Sequence, residues 1–370
     1  MTDVQRSTNP MLERDLFKIG YFAYGHDSAS TMSVAPERWR ARWDDIERLA
    51  READEGGLDF LLTLARWKGW RKGHGQNWNF DNLTTAAALA TITKRIALIS
   101  TLHTPVIHPV MAAKMLATID HASHGRAGVN IVAGWNKNDF EMFGLKVSDH
   151  DQRYKQGEEW LHILKRIIAG TEDEFDYDSP NFPNLKGLMG LPGSIQQPGP
   201  VTINAAISDQ GKDFAIRNVD YILLGSFDEK GVSTEYRDDI HERSRRLGRK
   251  DPPQLLAMLA PYIRESRKEA EDFYRYFAIE NEDTETLDNY VGLRTKHATT
   301  GGDGTDNSLR RGAAAGGRAV VGTPEDFVDT LVRLKKQGYA GATMTPPNFL
   351  EDLPIIVNRV LPLMKEAGLR

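Results

Sequence analysis

The chain has 370 residues, of which 40% are hydrophobic and 27% are charged, values that are ordinary for a globular protein. It contains no cysteine, which excludes disulfide bonds, thiolate metal sites and a cysteine nucleophile. A formal net charge of −5 argues against general nucleic-acid binding. No apolar run approaches the roughly 20 residues of a membrane-spanning helix, so a cytoplasmic enzyme is expected.

Residues 1–14 are predicted to form a flexible N-terminal arm, because they are polar and lack the apolar core of a signal peptide. The rest of the chain alternates between apolar runs with strand character and stretches with helical periodicity. The predicted strands, in chain order, are residues 16–23, 58–64, 95–101, 127–133, 201–206, 219–225, 254–263 and 340–345.

Two further predictions concern segments that connect the strands, one a helix and the other a loop. A helix is expected to open at Pro36, because Trp39, Trp43 and Ile46 follow at helical spacing. Residues 175–199 are rich in Asp, Pro, Gly and Asn, and are predicted to form a long loop.

The order of strand and helix repeats about eight times, which predicts parallel strands joined by right-handed crossovers. Eight units without a topological break favour a closed (β/α)8 TIM barrel over an open doubly wound sheet. Residues 15–370 are therefore expected to form a single barrel domain with an insertion at about 280–320. A long irregular insertion of this kind is expected to be a lid or to be disordered.

The most informative stretch runs from Gly125 to Gly144. Its first half is a buried strand that Asn130 interrupts, and a buried carboxamide needs a hydrogen-bond partner from the protein or from a ligand. Trp135 and Asp139 follow this strand, at the end where α/β folds place their ligand sites. Thr101 stands at the end of the neighbouring strand, and its hydroxyl suits the binding of a small neutral molecule better than acid–base chemistry.

A second set of residues is suited to phosphate. Ser208 stands where a strand ends and a helix begins, so its hydroxyl and the free backbone amides could bind an anion. The alternative is a plain helix cap. The pair Arg153 and Tyr154 opens another helix and could reach the same phosphate, although a surface ion pair would explain Arg153 as well.

The loop of residues 65–74 is basic, aromatic and punctuated by glycine. Two interpretations stay open for it. It is either a solvated surface loop or a site loop that binds an anionic or flat aromatic ligand through arginine charge and indole faces.

Other enzyme classes have little support in the sequence. No dinucleotide-binding glycine fingerprint and no G-x-S-x-G element follows a predicted strand. Several residues invite a metal interpretation, but they lack metal-ligand spacing: His103, His108, Asp120, His121 and His124.

In the candidate site residues above and in the segments given next, the chain resembles the bacterial luciferase-like flavin monooxygenases, which are two-component enzymes that use reduced FMN. The resemblance runs from about Lys18 to the C-terminus, and its most specific segments are residues 117–120, 125–135, 151–154, 322–324 and 360–363. Within the family, the chain is most similar to the branch that holds the pyrimidine oxygenase, dimethylsulfone monooxygenase, chelator monooxygenases and riboflavin lyase. The resemblance implies the same barrel.

The resemblance also implies a set of FMN contacts. The residues carried over to the cofactor are Ala65, Arg66, Asn130, Asp139, Arg153, Tyr154 and Ser208. The last three match the phosphate binders of the family.

Three residues, Thr101, Asn130 and Trp135, match those that line the pocket where dioxygen meets the flavin. Their presence implies catalysis through oxygen attack at flavin N5, giving a nucleophilic peroxide. The substrate loops depart from the pyrimidine oxygenase, with more Trp, His and basic residues. A larger or more aromatic substrate is therefore expected beside Trp67, Trp70 and His74.

The resulting expectation is a cytoplasmic oxidoreductase that uses reduced FMN and dioxygen to oxidise or cleave a small N-heterocyclic, flavin-like aromatic or organosulfur compound. Its expected partners are an NAD(P)H-dependent flavin reductase and further copies of itself, in a dimer or tetramer. Neither nucleic acid nor a membrane is expected as a partner. The alternatives are a deazaflavin-dependent oxidoreductase on the same barrel, a non-catalytic flavin-binding barrel and a metal-dependent barrel hydrolase.

Overall fold

Parallel strands pair side by side until the last one meets the first, so that the sheet closes on itself. The computed structural model describes residues 9–134, 136–146, 150–206, 208–224, 234–297 and 307–370. The strands within these ranges are β1 (Lys18–Phe22), β2 (Phe60–Leu62), β3 (Ala97–His103), β4 (Ala127–Val132), β5 (Phe175–Tyr177), β6 (Leu185–Leu188), β7 (Val201–Asn204), β8 (Tyr221–Leu224), β9 (Gln254–Ile263), β10 (Arg318–Gly322) and β11 (Tyr339–Met344).

The closed sheet of the described residues has the order β1-β2-β3-β4-β7-β8-β9-β11, and β11 pairs with β1 again. All of these pairings are parallel. Strand β10 adds to the far half of β9, which extends beyond the region paired with β11. The predicted (β/α)8 barrel is confirmed.

Helices alternate with the strands along the chain, and several of them pack against the barrel sheet. They are α1 (Trp43–Gly56), α2 (Asn82–Ala90), α3 (Pro109–Ala122), α4 (Lys137–Met142), α5 (His150–Ile168), α6 (Asp209–Asn218), α7 (Thr234–Arg246), α8 (Arg267–Tyr274), α9 (Thr284–His297), α10 (Asn307–Ala315), α11 (Pro324–Lys336), α12 (Phe349–Ile355) and α13 (Leu361–Glu366). Short 3-10 turns cover Pro10–Leu12 and Gly75–Asn77, and π-helical turns cover Arg275–Glu280 and Ile356–Val360. None of the described helices is long and apolar enough to cross a membrane.

The predicted helix from Pro36 is wrong in its start, because α1 begins at Trp43. The spacing of Trp39 reflects tertiary packing instead of helical periodicity. Its indole is buried, donates to the carbonyl of Tyr24 at 2.7 Å, and meets the ring of Phe349 edge-on at 5.2 Å. Trp39 therefore belongs to the segment before the helix, and it packs against residues that follow β1 and β11.

Other segments hold more structure than the sequence indicated. The predicted loop of residues 175–199 contains the antiparallel hairpin of β5 and β6. The insertion at 280–320 contains α9, α10 and β10, while residues 298–306 lie outside the described ranges. Of the predicted flexible arm, residues 9–13 pack on the barrel: Met11 is buried, and the side chain of Asn9 donates to Gln196 at 2.9 Å. Residues 1–8 are outside the described ranges.

Asp120 joins two segments at the amino-terminal ends of the barrel strands. This carboxylate is fully buried at the end of α3. It accepts from the backbone amides of Ile195 and Gln196 at 2.7 and 3.0 Å and from the Gln196 amide at 2.6 Å. It also accepts from the hydroxyl of Ser194 and from the amide that begins β4, Ala127, at 3.3 Å. Its role is therefore structural, and it holds the loop before β7 on the start of β4.

Replacing Asp120 with Ala is expected to lower the free energy of unfolding by about 3 kcal/mol or more, since several buried donors lose their acceptor together. Urea unfolding of both proteins measures the change. Asp251→Ala is the matched control: Asp251 is exposed and forms a surface ion pair with Arg14, so a change of about 0.5 kcal/mol is expected. Equal stability of the Asp120 variant and the wild type would contradict the structural role.

Candidate functional site

The parallel pairing of β3 with β4 brings two predicted site residues together. Thr101 and Asn130 stand opposite each other in register. The Asn130 amide donates to the Thr101 hydroxyl at 3.1 Å, and that hydroxyl donates to the carbonyl of Thr63. The Thr101 backbone amide donates in turn to the Thr63 hydroxyl at 2.9 Å. The pair is thus held rigidly across the ends of β2, β3 and β4.

The carbonyl oxygen of the Asn130 side chain remains available. It is buried and has no hydrogen-bond partner among the described residues. A buried acceptor without a partner costs on the order of 1–3 kcal/mol, which a ligand N–H would recover. The same holds for Asn204 at the end of β7, whose amide donates to the Ile131 carbonyl at 2.5 Å while its oxygen has no described partner. Sequence reasoning missed Asn204, although its place at a strand end was a usable signal.

The three predicted phosphate binders lie close to the ends of β4 and β7. The guanidinium of Arg153, near the start of α5, donates to the carbonyl of Gly134, just after β4. The next residue, Tyr154, hydrogen-bonds to Ser208. Ser208 is the N-cap of α6 and accepts from the amide of Gly211 at 3.2 Å.

Gly211 shows how closely these groups approach the helix. A Cβ atom at this position would lie 2.6 Å from the Tyr154 hydroxyl and 3.1 Å from the Ser208 hydroxyl. Burial raises the pKa of Tyr154, so its phenol stays protonated and can donate to an anion. A guanidinium, a phenol, a hydroxyl and the first amides of a helix form a donor set suited to phosphate.

Asp139 connects the other predicted residues. Its carboxylate is fully buried and pairs with the guanidinium of Arg66 at 3.1 Å. It also accepts from the Asn136 amide at 2.7 Å and from the backbone amides of Trp67 and Lys68 at 3.2 and 3.4 Å. The loop after β2 is thereby fixed to the first turn of α4. Ala65, also predicted, is buried at the base of that loop.

The loop after β2 also contacts the insertion. The guanidinium of Arg71 binds the carboxylate of Asp283 through two bonds of 2.9 and 2.7 Å. The ring of Trp70 meets Tyr290 of α9 edge-on at 5.1 Å. The surface-loop interpretation of residues 65–74 is therefore wrong for Trp70 and His74, which are both buried.

The structure thus assembles most of the predicted site at the carboxyl ends of the strands. One predicted residue, Trp135, lies outside the described residues. Within the described part of the chain, no group of three or more His, Asp or Glu side chains is arranged to hold a metal ion.

Comparison with known proteins identifies the family. A family model described as luciferase-like monooxygenase matches residues 17–341. The chain belongs to this family. The predicted family and enzyme class are therefore confirmed, on the fold already described.

Individual relatives of this luciferase-like monooxygenase act on different compounds. An FMNH(2)-dependent dimethylsulfone monooxygenase of Pseudomonas putida is 27% identical over 356 residues, covering 93% of this chain and 95% of the relative. The pyrimidine monooxygenase RutA of Cronobacter turicensis is 30% identical over 231 residues, covering 61% of this chain and 58% of the relative. The crystal structure of the riboflavin lyase RcaE, with modified FMN and riboflavin, superposes with a TM-score of 0.83 at 21% identity, covering 96% and 92% of the two chains.

Three buried histidines surround Arg66, and the sequence analysis assigned only one of them to the site. Burial lowers the pKa of His26 and of His103 to about 3 and that of His74 to about 4. The positive charge of Arg66 contributes to each of these shifts. All three imidazoles are therefore neutral at ordinary pH. His26 gave no sequence signal, because it stands in a loop without a motif.

These histidines should make the fold sensitive to acid. Each has a pKa below the ordinary value of about 6.5, so the unfolded chain binds more protons below that pH and stability falls as pH falls. Between about pH 7.5 and 5.5, one such histidine accounts for a loss of about 1.4 kcal/mol. Replacing His26 with Asn should remove that part of the loss.

Urea unfolding at the two pH values measures the difference. His108→Asn is the matched control, because His108 is exposed and its ring accepts from the amide of Val110 at the start of α3. An unchanged pH dependence in the His26 variant would show that the imidazole is not held neutral.

Proposed function

We propose that this protein is the oxygenase of a two-component system, which uses reduced FMN and dioxygen to oxidise or cleave a small organic substrate. The buried, unpartnered oxygen of Asn130 beside Thr101 is the observation that carries the proposal. The prediction of reduced FMN as cofactor agrees with the FMNH(2) dependence of the Pseudomonas putida relative. Organosulfur compounds and N-heterocycles are the substrate classes suggested by the names of the similar enzymes.

The described residues fit FMN at both of its ends. A flavin ring carries N–H donors, and the Asn130 oxygen is an acceptor that lacks a donor. The FMN phosphate matches the donor set of Arg153, Tyr154 and Ser208. When bound, the reduced flavin would supply the electrons that activate dioxygen, which no amino-acid side chain can supply.

The protein's own part is to position the reactants and exclude water. The hydroxyl of Thr101 is committed to the carbonyl of Thr63, so it accepts from Asn130 and keeps that amide in one orientation. The Arg66–Asp139 ion pair holds the loop after β2 in place, and its two charges neutralise each other. Aromatic rings of Trp67, Phe140 and Phe143 add an apolar wall, with Trp67 and Phe143 5.0 Å apart. The position of oxygen attack on the flavin stays a prediction.

A separate NAD(P)H-dependent flavin reductase is the proposed partner, because an enzyme that uses reduced FMN needs a source of it and the Pseudomonas putida relative is FMNH(2)-dependent. We further propose that the insertion at 280–320 is a lid. Its support is the contact between Arg71 and Asp283, which holds α9 on the loop after β2. A covered site protects reduced flavin from solvent.

The phosphate contact can be tested by comparing FMN with riboflavin, which lacks the phosphate. Replacing Arg153 with Met should weaken FMN binding by about tenfold or more, because a charge-assisted hydrogen bond is lost, and leave riboflavin binding nearly unchanged. Flavin fluorescence titration measures both affinities.

Arg217→Met is the matched control, since Arg217 forms an exposed ion pair with Glu158 and should affect neither flavin. If Arg153→Met weakened both flavins equally, the phosphate would not lie at Arg153.

The lid can be tested through uncoupling. Replacing Arg71 with Gln leaves the Asp283 carboxylate without its ion partner and should loosen α9. The fraction of consumed dioxygen that is released as hydrogen peroxide is expected to rise a few-fold, while FMN affinity stays the same. Arg51→Gln, which removes only an exposed ion pair with Glu47, should change neither quantity. An unchanged peroxide fraction in the Arg71 variant would refute the lid.

A further inference from the structure

His103 lies beside the candidate site but has no role in the flavin contacts proposed above. It follows Thr101 by two residues on β3, so both side chains leave the same face of the strand. It stands opposite Val132, one layer beyond the Thr101–Asn130 pair. Its ring lies 5.4 Å from that of Trp67 and 5.8 Å from that of Phe140. His103 therefore extends the inner face of the site toward the open end of the barrel.

One ring nitrogen of His103 makes no hydrogen bond within the described part of the fold. The residue is 5% exposed, and its Nδ1 atom is buried without a hydrogen-bond partner among the described residues. Most buried polar side-chain atoms in proteins have a hydrogen-bond partner, so this nitrogen is available to a ligand. A ligand bound between the aromatic rings would supply the missing partner.

The surroundings keep this imidazole uncharged. The charged groups of the elements packed against it are Arg66 on the loop after β2 and Asp139 on α4, while β4 contributes Val132. Burial, together with the positive charge of the Arg66 guanidinium, lowers the pKa of His103 to about 3. A neutral imidazole presents one N–H donor and one acceptor.

The two arginines of the loop after β2 are both paired with buried carboxylates. Arg66 is neutralised by Asp139, and Arg71 is neutralised by Asp283. His26 and His74 are neutral for the same reason as His103. An anionic substrate would lose its hydration here, and neither arginine is available as its counterion because each is already paired.

We propose that this wall selects an uncharged substrate that carries a hydrogen-bond acceptor oxygen, and that the ring N–H of His103 donates to that oxygen and orients the substrate beside Trp67 and Phe140. A sulfonyl oxygen or a ring carbonyl has the required chemistry. Polycarboxylates and sulfonates are disfavoured. The inference rests on the proposed function, because it places the substrate over the flavin site.

Two probes of matched shape test the proposal: methyl phenyl sulfone, which is uncharged, and benzenesulfonate, which carries a negative charge on the same sulfonyl group. Calorimetric titration of the protein–FMN complex gives their dissociation constants. The sulfone should bind at least about tenfold more tightly, a difference of about 1.4 kcal/mol. Its dissociation constant should be the same at about pH 5.5 and about pH 8, since His103 does not titrate in that range.

Variants of His103 test whether this residue makes the hydrogen bond to the sulfone. His103→Leu should weaken sulfone binding by about tenfold, and His103→Gln, which keeps a donor, should recover part of that loss. FMN affinity should be unchanged in both variants, which separates a substrate contact from a general structural role. His108→Asn, at an exposed helix cap, should bind the sulfone like the wild type.

Several results would overturn the proposal. They are tighter binding of benzenesulfonate, a gain in its affinity as pH falls below about 6.5, binding of neither probe, or an unchanged sulfone affinity in His103→Leu. If FMN itself did not bind, the proposed function and this inference would both fail. Normal FMN binding with any of the listed results would overturn this inference alone.

Discussion

The buried carboxylate of Asp139 is the interaction on which the mouth of the barrel depends. It joins the loop after β2 to α4 by accepting from Arg66, Asn136 and two backbone amides. That loop in turn carries Arg71, which binds the insertion through Asp283. An unpaired carboxylate in this position would be strongly destabilising, so the donors and the acceptor hold one another in place. Asp139 thereby connects the loop after β2 to α4, and that loop connects to the insertion through Arg71.

Beneath these loops, the register of the parallel sheet determines which polar groups face the candidate site. Because Thr101 and Asn130 stand opposite each other, the amide of one meets the hydroxyl of the other, and one buried oxygen is left for a ligand. The phosphate-type donors at Arg153, Tyr154 and Ser208 lie on the adjoining loops and helix ends. The arrangement supplies binding, orientation and exclusion of water, while the redox chemistry must come from a cofactor. This division of labour suits a flavin-dependent oxygenase.

Much of the fold was predictable, because strand periodicity and the alternation with helices are local signals. The partners of Asn130 were only partly predictable: the sequence showed that a buried amide needs a partner, but only the sheet register identifies Thr101. The Pro36 helix failed because the spacing of Trp39 reflects contacts with Tyr24 and Phe349, which are distant in sequence. His26 and His103 could not be assigned from the sequence, since their neutrality follows from burial and from the charge of Arg66.

The most direct test of the central claim is a crystal structure of the protein with FMN bound. The account predicts that the flavin ring donates a hydrogen bond to the side-chain oxygen of Asn130, and that the phosphate lies between Arg153, Tyr154 and Ser208. A flavin bound elsewhere, or an Asn130 oxygen that remains without a ligand partner, would contradict it.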